Sequence, residues 1–312
     1  MKHYNPSMRV DQVAEYVTSV HGKRLTVQGD TNVAVCTSCH PAHSIRPPSD
    51  PLSTVNPLHV AETCGSCHAD SARMRPYRIP TSQLAQYRES IHWYKLSEEG
   101  DLSAPTCNDC HGNHGAAPPG VSWVGNVCGQ CHVVMADYFS ESPHAATFTM
   151  LGLPGCATCH SNHAVKEAGD ELLGLQEGAV CARCHEPDVG GGVVAAAMRR
   201  AIDSLATGLD EADSLLESAE RAGMEVSSAR FEMRDAHNAL IQARAAIHTF
   251  SLDSVRQHVN EGLKVSSEAH ARGERALKEL QFRRTGLAIS AGIIILLIAG
   301  LVLKIRQLEA RA

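Results

Sequence analysis

From Thr285 to Leu303 the chain carries nineteen consecutive residues without a charge, among them Ile293-Ile294-Ile295-Leu296-Leu297-Ile298. At about 1.5 Å per residue, a helix of that length reaches across the roughly 30 Å hydrocarbon core of a bilayer. Residues 285–303 are therefore predicted to form one transmembrane helix, followed by a short tail, 304–312. Upstream the apolar positions recur at alternating steps of four and three. Met198, Ile202, Leu205, Leu209, Ala212, Leu216 and Ala219 make one run, and Val226, Ala229, Met233, Ala236, Leu240, Ala243 and Ile247 a second. Gly223 separates them. Ser251 is placed to cap a third helix whose seam is Leu252, Val255, Val259, Gly262, Ser266, Ala269, Gly273, Ala276 and Leu280. Heptad spacing of this kind predicts an α-helical bundle or coiled coil over residues 195–284. The small residues of the third seam predict close approach of that helix to its partners.

No such periodicity exists before residue 190. Prolines 41, 47, 48, 51, 57, 118 and 119 punctuate that stretch and read as irregular connections rather than helix interiors. The expectation is a mainly α fold with much irregular structure, joined at a flexible Gly190-Gly191-Gly192 linker (190–194) to the bundle. Aromatic residues make up only 4% of the chain, too few for a conventional apolar core of this size. Something other than side chains must supply buried apolar surface in residues 1–189.

The cysteines identify it. All twelve fall in six copies of Cys-x-x-Cys-His: Cys36/Cys39/His40, Cys64/Cys67/His68, Cys107/Cys110/His111, Cys128/Cys131/His132, Cys156/Cys159/His160 and Cys181/Cys184/His185. Zinc sites and redox dithiols use Cys-x-x-Cys but do not require the adjoining histidine every time. This pentapeptide is the attachment signature of haem c: two thioether bonds to the porphyrin and an imidazole for the iron. Six haem c groups are expected, with His40, His68, His111, His132, His160 and His185 as proximal ligands.

The other histidines define an internal repeat. Its unit is Ser-x-His, a first Cys-x-x-Cys-His-x-x-His, then a second Cys-x-x-Cys-His. The three copies cover about 18–70, 89–134 and 141–187. They contribute His21, His92 and His144 from Ser-x-His, and His43, His114 and His163 from His-x-x-His. Those six are the expected distal iron ligands. Two histidines three apart on one helical turn share a face, so His43, His114 and His163 are expected to reach a haem other than the one beside them. His59 lies outside the repeat and is a further distal candidate. His3 is read as a terminal residue, and His237, His248, His258 and His270, off the heptad seams, as surface or packing residues.

At this point the chain resembles the multihaem c-type cytochromes, cytochrome c3-like proteins with bis-histidine haems; the resemblance covers about residues 15 to 190. It implies an electron carrier whose haem domain lies outside the cytoplasm. With the predicted helix, it implies a hexahaem protein anchored in the inner membrane by a single pass. The haem domain would be periplasmic and the tail cytoplasmic. Three basic residues flank the span on each side, so the positive-inside rule adds nothing. The first twenty residues contain no apolar signal segment, so export is expected to depend on a segment upstream of Met1.

A net charge of −6, with no basic stripe, argues against nucleic-acid binding and for docking to other redox proteins. Expected partners are a membrane quinol oxidoreductase or periplasmic and extracellular cytochromes. The helical region could also serve homo- or hetero-oligomerisation. Saturated irons offer no catalytic position, so no catalytic residue is expected. The alternative is a reductase of a small nitrogen or sulfur oxyanion, which would need one open iron. A sensor is disfavoured by the short tail.

Overall fold

A computed structural model describes residues 9–117 and 127–310. His3, Pro118 and Pro119 lie outside the described residues. The chain divides into two compact units at Gly169/Asp170. The fold is helical, with no strand among the described residues.

The first unit is built of short helices. Four of them carry histidines of the repeat: α1 Val20–Gln28, α2 Pro57–His68, α3 Ile91–Ser97 and α4 Pro143–Leu151. Three further single-turn pieces coincide with haem motifs: Cys36–Cys39, Cys107–His111 and Gly155–His160. The prolines lie between these elements or at helix starts, as at Pro57 and Pro143, where their missing N–H costs nothing. Buried apolar side chains are few and scattered: Val60, Ala61, Met74, Tyr87, Leu96 and Ala104.

The second unit contains three long helices: α5 Gly191–Arg221, α6 Ser227–Ala246 and α7 Leu252–Glu309. Their core is the predicted seam. Ile202, Leu205, Leu209 and Leu216 of α5, Met233 and Ala236 of α6, and Val255 and Val259 of α7 are nearly or fully buried. Gly262 and Gly273 sit where α7 meets α5. A Cβ at 262 would stand 2.8 Å from the Leu205 side chain, and one at 273 would stand 3.0 Å from that of Leu215. Gly223, at φ 80°, closes the turn between α5 and α6. Ser251 caps α7 by accepting from the Ser254 N–H.

Three boundaries differ from expectation. The unit boundary falls at Gly169/Asp170 because Leu173 enters the bundle core and Cys181 packs against it. The sixth motif therefore belongs to the second unit. Gly191 and Gly192 are the first turn of α5 rather than a linker. The third bundle helix and the apolar segment are one continuous 58-residue helix. That helix is long and apolar enough to cross a membrane, and its large residues from Leu287 to Leu303 are exposed.

Candidate functional site

The Ser-x-His histidines owe their positions to a capping device. Ser19, Ser90 and Ser142 are the N-cap residues of α1, α3 and α4, all with extended backbone. Each hydroxyl donates to the carbonyl three residues back: Tyr16 at 2.6 Å, Tyr87 at 2.6 Å and Phe139 at 2.7 Å. Ser19 and Ser90 also accept from Gly22 and Trp93 N–H groups. The three serines are buried. This bonding fixes the helix start, so His21, His92 and His144 each occupy the second helical position.

The residue three before each serine is aromatic: Tyr16, Tyr87 and Phe139. Sequence reasoning missed this feature, though the spacing is regular there. The Tyr16 hydroxyl donates to the Ala34 carbonyl at 2.8 Å and Tyr87 to Pro105 at 2.9 Å. Ala34 and Pro105 each lie two residues before the first cysteine of their repeat. Phe139 has no hydroxyl, and its ring lies beside Gly155, next to Cys156. The aromatic thus ties the Ser-x-His helix to its own repeat's first haem motif.

Among the described residues, imidazoles face each other in at least four pairs. His21 faces His68 with ring centres 6.0 Å apart, and His92 faces His132 at 6.4 Å. His40 faces His114 at 6.3 Å, 20° from parallel, and His111 faces His163 at 6.1 Å and 11°. A rule governs the partners. Each Ser-x-His histidine in these pairs meets the second motif of its own repeat. Each His-x-x-His histidine meets the first motif of the repeat before.

The outward reach of His114 and His163 has a local cause. Gly112 at φ 78° and Ser161 at φ 66° turn the chain sharply after the motif. Asn113 and Asn162 side chains then accept from the His114 and His163 N–H groups, at 2.6 and 2.8 Å. Repeat one has Pro41-Ala42 in these places. Proline's ring excludes positive φ, and alanine has no acceptor. His43 accordingly is exposed, and no facing imidazole or hydrogen-bond partner is seen for it among the described residues. His59 is also exposed and directs Nε2 to the Pro51 carbonyl at 2.8 Å.

His144 meets the Phe148 ring edge-on at 5.5 Å. His160 ends the Gly155–His160 helix. The His185 ring lies against the Gly191 backbone, where a Cβ would overlap it. In the bundle, His237 Nε2 pairs with Asp213 at 2.9 Å, and His248 Nδ1 bonds the Ala245 carbonyl at 3.0 Å.

No disulfide joins the twelve motif cysteines, so none is withheld from haem attachment. The second cysteine of each motif sits one residue before its proximal histidine, in varied surroundings. Arg73 Nη1 donates to Cys67 Sγ at 2.7 Å, beside the exposed end of α2. Cys131 is exposed, and its N–H bonds the Cys128 carbonyl at 3.2 Å, which closes that motif into a single turn. Cys159 is half-buried within the Gly155–His160 helix. Cys36, Cys110 and Cys184 are exposed, and Cys39 is half-buried.

Burial pushes His21, His68, His92 and His163 below the ordinary imidazole range, helped by a neighbouring ring in each case. The neutral ring is the form that binds a metal. Thiols of successive motifs also touch. A hydrogen bond with Cys107 raises Cys64 and lowers Cys107, while the bond to Cys128 brings Cys156 down to about 7. Motif two therefore adjoins motif three, and motif four adjoins motif five.

The residues fit an iron porphyrin. With metal–nitrogen bonds of about 2 Å, two imidazoles on opposite faces of one iron have ring centres roughly 6 Å apart. The four pairs match that spacing. Both ring planes contain the bonding axis, so the range of interplanar angles is no obstacle. Haem held this way would be clamped by two cysteines and a histidine from one motif and a histidine from another segment.

Comparison with known proteins agrees for part of the chain. Residues 103–186 match the family model described as cytochrome c3. No curated protein and no solved structure matches the chain. The matched segment runs from just before Cys107 to just past His185 and so takes in four of the six motifs, which supports placing this chain in a multihaem cytochrome c family.

Proposed function

We propose that this protein is a membrane-anchored hexahaem electron relay. Its twelve cysteines attach six haem c groups, and axial histidine pairs hold the irons. Residues 285–303 span the inner membrane, with the haem-bearing part periplasmic. It passes electrons between a membrane oxidoreductase system and periplasmic or extracellular acceptors. The observation that carries this reading is the set of four facing imidazole pairs, His21–His68, His40–His114, His92–His132 and His111–His163.

Bound haem supplies a one-electron iron couple whose potential follows its axial ligands and surroundings. The protein's own part is to fill both axial positions and hold them still. A second imidazole leaves no vacant position for substrate, which favours relay over catalysis. The buried serine caps, the tyrosine bonds and the Gly112 and Ser161 turns fix the rings in advance. Little rearrangement then accompanies each change of iron charge.

Electron paramagnetic resonance of the oxidised, haem-loaded chain tests this reading, with mass spectrometry counting the haems. Six covalent haems with only low-spin signals are expected. A stoichiometric high-spin signal in the wild type would transfer the assignment to a reductase.

A further inference from the structure

The second unit has a direction that bears on who its redox partner is. Helices α5 and α7 run parallel, with α6 antiparallel between their ends. Leu205 lies beside Gly262 and Leu215 beside Gly273, a constant offset of 57 to 58 residues. That register places Gly191, the start of α5, level with the turn preceding Leu252, the start of α7. The apolar span lies at the other end of α7.

The sixth haem motif is fixed at the Gly191 end. The His185 ring lies on the Gly191 backbone, and Cys181 packs against the bundle core. Asp170 locks the same segment down. It accepts from Arg244 near the end of α6 at 2.9 and 2.6 Å, and its carbonyl accepts from Arg199 at 2.6 Å. From the level of Gly191 to Thr285 is some 35 residues of continuous helix, or about 50 Å at 1.5 Å per residue. Buried seam residues hold α7 in the bundle as far as Ala276, so most of that length is braced. No cysteine follows Cys184, so the bundle carries no haem attachment point between that end and the span.

We propose that the bundle is a rigid stand-off, which holds the Cys181/Cys184 haem about 50 Å from the bilayer and commits it to a second redox protein in the aqueous phase rather than to quinol in the membrane. The inference rests on the reading of residues 285–303 as a membrane span. Electron tunnelling falls exponentially with distance, and direct transfer along this length of bundle, which has no haem attachment point of its own, is out of reach. In the exchange, the partner's reduced metal centre would give up one electron, and a haem held by Cys181, Cys184 and His185 would take it up. No bond is made or broken and no proton moves. The small seam residues suit this role, because close helix approach stiffens the shaft.

The test uses the full haem-loaded chain in lipid vesicles doped with a gadolinium-chelate headgroup lipid. Nitroxide amino acids are placed at the exposed positions Asp253 and Arg283. Strong relaxation enhancement is expected at 283 and none at 253; equal enhancement at both overturns the stand-off. Flotation of the same sample keeps the premise separate, since a chain that does not float with vesicles overturns the anchored reading itself. A second arm adds quinol to the vesicles. The Cys181/Cys184 haem signal is identified by its loss in a Cys181→Ala/Cys184→Ala chain. It should show no reduction beyond that in quinol-free vesicles, yet be reduced by a water-soluble reduced cytochrome. Reduction by membrane quinol alone overturns the proposal.

Discussion

The Tyr87 hydroxyl donates to the Pro105 carbonyl at 2.9 Å, tying the helix that carries His92 to the backbone entering Cys107. Tyr87 is buried, so removing the hydroxyl strands an acceptor. Tyr87→Phe should cost about 1 kcal/mol of stability. Thermal unfolding of the haem-loaded chain measures it, and the low-spin spectrum should survive. Tyr87→Ala also removes the ring that packs edge-on against Trp93 at 5.6 Å, and should cost about 3–5 kcal/mol.

His163 follows the fifth motif in sequence but faces His111 of the third. His163→Ala should therefore open the iron of the Cys107/Cys110 haem, not that of its sequence neighbour at Cys156/Cys159. One high-spin ferric signal is expected by paramagnetic resonance, and it should vanish when Cys107 and Cys110 are also replaced. Persistence of that signal in the triple variant would refute the pairing.

Asn162 positions that histidine through the 2.8 Å bond from the His163 N–H, and Ser161 holds the turn at φ 66°. Ser161→Gly should be tolerated or stabilising, since glycine takes this backbone at no steric cost. Ser161→Pro should detach His163 and reproduce the high-spin signal of His163→Ala.

Gly262 faces Leu205, with a Cβ position 2.8 Å from that side chain. Gly262→Val should overpack the seam and destabilise the bundle by about 1–3 kcal/mol. Gly286 meets nothing within 4 Å, so Gly286→Ala should leave helix stability unchanged or raised. Circular dichroism melts of the two variants make the comparison.

Arg272 of α7 donates to Glu232 of α6 at 2.7 Å, and this bond holds the Glu232 carboxyl below the ordinary glutamate range. A carboxylate whose folded value is depressed contributes stability above its unfolded value and loses it as pH falls through the folded one. The stability difference between wild type and Arg272→Gln should thus be present at neutral pH and shrink below about pH 4. Denaturant titrations across that range measure it.

Much of this fold is written in residue spacing. The heptad seam of α5 reappears as the buried row Met198 to Ala219 because a 3.5-residue period forces one face inward. The Ser-x-His spacing is visible as a repeat, and its cause, a buried N-cap, becomes visible only with the carbonyls of Tyr16, Tyr87 and Phe139 in place. Other features depend on contacts that no local pattern encodes. Gly190 to Gly192 read as a linker, yet Gly191 lacks a side chain because the His185 ring occupies that space. The unit boundary moves because Leu173, in the short apolar stretch Leu172-Leu173-Gly174-Leu175 that shows no heptad spacing, joins the bundle core. His43 matches His114 and His163 by spacing, and Pro41 removes the turn that would aim it.

The cross-repeat pairing has a consequence for how such a chain matures. Under the proposed ligation, His40 is made early, but His114, which faces it, emerges a whole repeat later. His111 waits likewise for His163. Haem can be attached to Cys36 and Cys39 as soon as they appear, but its second axial position stays open until the following repeat arrives. The first haem of each of these two repeats thus passes through an exposed, reactive stage that ends only when the next repeat is delivered. Synthesis order becomes coordination order, and a stalled or truncated chain would be left with an unclosed iron at its growing end.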